Sequence, residues 1–306
     1  MSTLVRTGLI ITVAAVLALA GCDRKPDIPF APVDSSIHDP DNPSKIFYTD
    51  MARVEHDYPL SREQRMALTP ENVKSFSQEE VDQIYGRLTA GPIPSGAHQG
   101  DLFFARGEDL KSRLDEIVGG IGGRIADAKV KTLENVGRQL WKGKMFYREE
   151  GVLRNFIEDP KAIEALIDDP DKMLKTQIPR RGWMSVFSKK TTVYLMFPAK
   201  LYCGQSLMDG RRESVIVDYN YGDEIPGYQE RPDSLAGRNG LRVRDEVRMV
   251  RPGFYLGRAY MNRIFLLNFT VYNDEAAKAG EKAFRDGEPI DEDCWPGEQV
   301  ALTDQK

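Results

Sequence analysis

The sequence predicts an α+β protein in which helices precede an antiparallel barrel or sandwich. Three observations carry that expectation. After Trp141, about seven short segments alternate apolar and polar residues at fairly even intervals, from "WKGKMFY", "VLRNFI", "TTVYLMF" and "ESVIVDYNY" to "LRVRDEVRMV", "FYLGRAYM" and "RIFLLNFTVY". Turn signals such as Met208-Asp209-Gly210 and Pro252-Gly253 separate several of them. Upstream, "SFSQEEVDQIYGRLTAG" has the apolar spacing and end signals of a helix.

From the N-terminus, the chain opens "MSTLVRTGLIITVAAVLALAGCDRKP". Arg6 precedes about 13 mostly apolar residues, too few for a hydrocarbon core of about 30 Å, so residues 1–21 have the layout of a secretory signal. Leu19-Ala20-Gly21-Cys22 resembles the lipobox of bacterial lipoproteins. An ordinary cleaved signal or an N-terminal anchor helix is the alternative. The resemblance implies diacylglycerol and palmitate chains on Cys22 and a lipid-anchored protein of the cell envelope facing the periplasm. Two such chains already anchor stably. Asp23 resembles the inner-membrane retention signal of enteric-type lipoproteins, which favours the inner membrane over the outer.

Residues 22–60, rich in Pro, Asp and Ser with no apolar period, are expected to be a flexible tether. Residues 61–140 are expected to form a helical region on or beside the barrel. A short helix starts at Ser61. A second is capped by Ser77, with Glu80 at capping-box spacing; Val81, Ile84, Tyr85 and Leu88 form its stripe, and Gly91 stops it. A turn-rich run leads into a short apolar strand near residues 102–105. Residues 108–140 have helical spacing, interrupted at Gly119, Gly120, Gly122 and Gly123, each costing about 1 kcal/mol against Ala. That run lacks the Lys-Ser/Thr pair of a phosphate loop. Residues 141–306 supply the strands, with short helices expected in "DPKAIEALIDDPDKML" and "NDEAAKAGEKAF" and a C-terminal tail.

The chain has three cysteines. With Cys22 acylated, Cys203 and Cys294 remain in an oxidising compartment and are expected to pair. The chain carries 42 basic and 47 acidic side chains, and removing residues 1–21 takes away only Arg6. That acidic balance gives no support to nucleic-acid binding, which wants a basic footprint.

The hairpin "VRDEVRMVRPGFYLGRAY" carries the candidate site. A two-residue turn at Pro252-Gly253 pairs Met249 with Leu256, Val247 with Arg258 and Asp245 with Tyr260. That face is mainly apolar and expected to look inward, leaving Arg244, Glu246 and Arg248 as a solvated outer face. Asp245 and Arg258 then become diagonal neighbours within a greasy interior. Two readings stay open: a hydrogen-bond network plugging the barrel, or the polar end of a ligand pocket shared with Asp218, Tyr260 and Asn268.

Of the three histidines, only His98 is a candidate acid–base group, and no Gly-x-Ser-x-Gly or zinc-ligand spacing accompanies it. No cofactor motif and no metal site are expected. Trp141-Lys142-Gly143-Lys144, followed by "LRNFI", "SVIVDY", "RDEVRMVRPGFYLGRAY" and "FLLNF", resembles uncharacterised lipocalin-like (calycin) proteins. Those proteins open with a Trp-x-Gly-Lys strand and close with one containing Leu-Gly-Arg. The likeness covers residues 141–272. It implies an antiparallel lipocalin-like β-barrel with a central apolar cavity, here with N-terminal helices.

The expected function is therefore non-enzymatic binding of a lipid or other amphipathic molecule by a membrane-anchored lipoprotein. One alternative is a structural or assembly lipoprotein that binds an envelope protein. A second is a hydrolase working through carboxylates such as Asp218 and Asp245.

Overall fold

The computed structural model describes residues 25–32, 50–104, 141–158, 169, 172–179, 190–290 and 294. The signal segment, Cys22, Asp23, the glycine-interrupted stretch at 108–140, most of the helix expected in "DPKAIEALIDDPDKML" and most of the tail lie outside the described residues. No helix among the described residues is long and apolar enough to cross a membrane.

Among the described residues, three α-helices precede the sheet: α1 (Met51–Asp57), α2 (Arg62–Ala67) and α3 (Gln78–Gly86). Ser61 and Ser77 cap α2 and α3 with full capping boxes, each serine taking the N3 amide while Gln64 or Glu80 returns a bond to the cap amide. Nine strands follow among the described residues, β1 (Gly96–Phe103), β2 (Trp141–Tyr147), β3 (Val152–Ile157), β4 (Lys175–Pro179), β5 (Lys190–Gln205), β6 (Glu213–Asp218), β7 (Val243–Arg251), β8 (Phe254–Met261) and β9 (Ile264–Tyr272). Helix α4 (Asp274–Asp286) closes the order, capped by Asn273 and ended by Gly287 in the left-handed region.

The strands run β3-β2-β1-β9-β8-β7-β6-β5, and β3 pairs with β5 to close an eight-stranded antiparallel barrel. Strand β4 pairs with the first residues of the long β5, outside that ring. The expected α+β barrel with N-terminal helices is thus the observed fold. Its first strand, however, lies within the region expected to be helical. Strand β1 begins at Gly96, well before both the short strand expected at 102 and the barrel boundary placed at 141. Its first six residues include two glycines and the polar His98, Gln99 and Asp101, so its apolar signal covers only its last residues.

Among the described residues, three apolar clusters share this sheet. One fills the barrel; a second lies outside it, where Val81, Ile84 and Tyr85 of α3 and Leu88 just beyond it pack on Val250, Phe254 and Leu256; a small third joins Phe156, Ile178, Val193 and Leu195. Strands β7 and β8 are therefore covered on both faces, and every residue of β8 is buried. Within the tether expected over 22–60, the described residues 25–32 and 51–57 are instead packed on the folded body. Ile28 is buried in the outer core, Phe30 meets the Phe76 ring edge-on at 5.7 Å, and the Gln83 amide bonds both the N–H and the carbonyl of Ala31. Helix α1 occupies the end of the same stretch. Two apolar side chains spaced by two positions suffice to dock an extended segment, and composition averaged over it hides them.

Cys203 and Cys294 are disulfide-bonded, with Cα atoms 5.3 Å apart. The Cys294 amide donates to the Gly91 carbonyl at 3.1 Å, so this contact and the disulfide hold Cys294 between β5 and the segment after α3.

Candidate functional site

The turn at Pro252-Gly253 forms as expected, with Arg251 opposite Phe254. Gly253 has φ 71°, and a Cβ there would lie 2.4 Å from the Ala277 amide. One step further the register changes: Met249 faces Tyr255, Val247 faces Gly257, Asp245 faces Ala259, and Glu246 faces Arg258. Val250 is the extra residue of a bulge. Its cause is tertiary. The Met249 amide donates to the Thr89 carbonyl at 3.0 Å, and the Arg65 guanidinium donates to the carbonyls of Val250 (2.6 Å) and Met249 (3.1 Å).

A one-residue slip moves a strand's side chains to the other face. Asp245 therefore points into the barrel, whereas Arg258 and Tyr260 point out beneath α3, and the expected Asp245–Arg258 pair does not exist. Arg258 Nη1 pairs instead with Asp82, its Nε donates to the Tyr260 hydroxyl at 3.0 Å, and its guanidinium lies 4.2 Å from the Phe265 ring centroid. Burial works against its charge, but Asp82 and Tyr260 together outweigh that and hold its pKa above the usual arginine value. Asn268, opposite Arg258, donates to Gln78 Oε1 at 2.7 Å. These three expected pocket residues form the socket for α3.

The solvated face expected for Glu246 and Arg248 is also corrected, since both are fully buried. Arg248 donates to Ser214 Oγ and to the Tyr85 carbonyl, and Glu246 accepts from Ser206 Oγ and the Leu207 amide. The helices and the loop after β5 cover the face that an isolated hairpin would give to water. Asp218 lies on this outer side, pairing in register with Arg244; Tyr202 donates to its Oδ2 and the Asn220 amide to its Oδ1. The sheet separates it from Asp245, so the two do not form one carboxylate pair.

Inside the barrel, toward the ends where β2 and β7 begin, lies a cavity of about 110 Å³ lined by side chains such as Trp141, Phe197, Val243, Leu267 and Phe269. One polar cluster borders it. Lys144 Nζ donates to Asp245 Oδ2 at 2.8 Å, the Tyr219 hydroxyl at 2.6 Å and Asn155 Oδ1 at 3.0 Å. Trp141 Nε1 also donates to Asn155 Oδ1, at 2.9 Å, and the Asn155 amide donates to the Phe197 carbonyl at 3.1 Å. The ammonium lies 5.1–5.4 Å from the centroids of Trp141, Tyr219 and Phe269. The Lys144 and Asp245 side chains are 2% and 6% exposed. Burial pulls the Lys144 pKa below its usual value, against the opposing pull of Asp245. Burial, with Asp245 second, pushes the Tyr219 phenol well above its own.

The Trp-x-Gly-Lys motif gains a mechanism here. Trp141 pairs with Ile157 but Gly143 with Phe156, so Lys142 is bulged out. The bulge turns both Trp141 and Lys144 to the cavity, although an unbroken strand would put residues three apart on opposite faces. Gly143 has φ 135°, and a Cβ there would lie 2.1 Å from the His98 carbonyl. Sequence reasoning singled out this motif only as a resemblance and missed Lys144, Asn155 and Tyr219 as neighbours of Asp245. A lysine in a strand otherwise suited to a core was the available signal.

His98, the candidate acid–base group, is buried in β1 with its ring 5.2 Å from Phe146 and 5.9 Å from Tyr255. Its Nδ1 donates to the Gly96 carbonyl, and burial pushes its pKa down to about 4.

The chain matches no protein-family model and no curated protein. Among solved structures it is similar to a crystal structure of a protein from Thermomonospora curvata, at 16% identity, over 70% of this chain and 98% of that one, with a TM-score of 0.36.

Proposed function

We propose that this chain is a membrane-anchored envelope lipoprotein, acylated at Cys22, whose barrel takes the apolar part of a small amphipathic molecule. The observation that carries this reading is the apolar cavity with a single buried polar cluster at its wall. Such a site holds a ligand by burial and orients it by one polar contact. The three donors of the Lys144 ammonium are all engaged, and the cluster's bonds to Asp245 fall on Oδ2 rather than Oδ1. The polar end that suits this arrangement is a donor, a hydroxyl or an amine, rather than a carboxylate. Acylation at Cys22 would hold the barrel beside a reservoir of such molecules, which supports the reading.

Native mass spectrometry of protein extracted from membranes tests this reading. A bound small molecule is expected, together with acyl chains on Cys22. The delipidated protein should take up a medium-chain alkanol, and Ala259→Phe should block the uptake without unfolding the barrel. Protein with neither a bound molecule nor alkanol uptake would sink the binding proposal. An unmodified Cys22 would sink the anchor.

A further inference from the structure

The Met261↔Ile264 pair leaves Asn262 and Arg263 as the two-residue turn between β8 and β9. Their φ values are 51° and 72°, as a turn with both central residues left-handed requires. Asn is at home in such a turn, but its second position is where glycine is strongly favoured. Arginine there carries backbone strain that glycine avoids. Arg242, just before β7, also has a positive φ, 53°, and the Asn262 amide donates to its carbonyl at 3.3 Å. Of the four non-glycine residues with positive φ among the described residues, three thus sit in these two touching loops. Strain of this kind persists where the surrounding structure enforces it, and it clusters at functional sites.

These two loops bring arginines together. Arg242, Arg263 and Arg244 line one recess of about 480 Å³ outside the barrel, with Asn220, Asn262 and Asp218. Arg242 and Arg263 are exposed, and neither enters an ion pair among the described residues. Arg244 Nη2 is engaged by Gln205 and Glu246, but its Nε is buried with no hydrogen-bond partner. Asp218, the only acid in the lining, already accepts from Tyr202 and Asn220. A chain of net charge −5 has here gathered three guanidinium groups with spare donors.

We propose that this recess is an oxyanion site for a phosphate group, gripped by the forked donors of Arg242 and Arg263. It lies on the outer side of the sheet and does not depend on what fills the barrel. A phosphate can come from an anionic lipid headgroup or from a soluble phosphate ester, and the same experiment separates them. The full chain carrying Cys22→Ser, so that no acyl anchor contributes, is mixed with phosphatidylglycerol vesicles, with phosphatidylcholine vesicles and with glycerol 3-phosphate. Binding to the first but not the second, or to the third, supports the site and identifies the source.

Arg263→Gly is the decisive variant, because it relieves the turn while removing the guanidinium. It should melt no lower than the parent yet bind the phosphate probe at least tenfold more weakly. Arg242→Ala should weaken binding to a similar degree. Lys282→Ala, an equal loss of charge far from the recess, should leave binding unchanged. The proposal is overturned if no phosphate probe binds, or if Lys282→Ala weakens binding as much as Arg263→Gly.

Discussion

Lys144 Nζ lies 2.8 Å from Asp245 Oδ2 inside the barrel, joining residues 101 positions apart in sequence. Removing one partner of such a buried pair leaves the other charge uncompensated, which costs about 3–5 kcal/mol. Lys144→Met should therefore lower stability by that amount in urea titrations. Lys144→Met/Asp245→Leu together should recover most of the loss. A double variant no more stable than Lys144→Met would show that the pair is not the source of the cost.

Protons test His98. Its folded pKa of about 4 lies below the usual 6.5, so between those values the unfolded chain binds the proton and the native chain does not. Stability should then fall as pH drops from about 6.5 toward 4, by about 3 kcal/mol in total. Asp233 acts in the opposite sense, because burial raises its pKa to about 6, and a raised carboxyl favours the native state as pH falls. The His98 contribution is therefore read as the difference between parent and His98→Asn across this window. Parallel curves for the two proteins would refute it.

Gly143→Ala probes the device that aims Trp141 and Lys144. The added methyl meets the His98 carbonyl at 2.1 Å, at a φ of 135° that L residues rarely adopt. Strain and clash together should cost about 3 kcal/mol or more and should shift Trp141 fluorescence. Unchanged stability would mean that the bulge does not constrain the motif.

Opening the Cys203–Cys294 bond frees a loop with a sequence separation of 91. The chain-entropy relation gives about 4.6 kcal/mol for that length. Cys203→Ser/Cys294→Ser should lose stability on that scale in denaturant titrations. A loss below about 1 kcal/mol would show that the unfolded chain already holds these ends close.

Much of the architecture was legible because it rests on local chemistry. Ser61 and Ser77 cap helices through groups three residues away, and Pro252-Gly253 forms its turn where expected. The candidate site was less legible. Asp245 does border the cavity, but Arg258, Tyr260, Asn268 and Asp218 lie on the outer side of the sheet. The turn alone predicts a register that Thr89 and Arg65 override by drawing Val250 into a bulge. Those partners lie more than 150 positions away, beyond any local pattern. The covering of β7 and β8 by α3 likewise buries Glu246 and Arg248, whose alternation reads as a wet face.

By itself the sequence determined the helix caps, the strand-rich body, the pairing of Cys203 with Cys294 and the glycines that its turns and bulges demand. Each follows from elementary chemistry, either over a few positions or by counting thiols. Only the tertiary structure decided which side chains share the barrel interior. In a sheet with a period of two, one inserted residue reverses every assignment beyond it, and contacts distant in the chain choose where that residue goes.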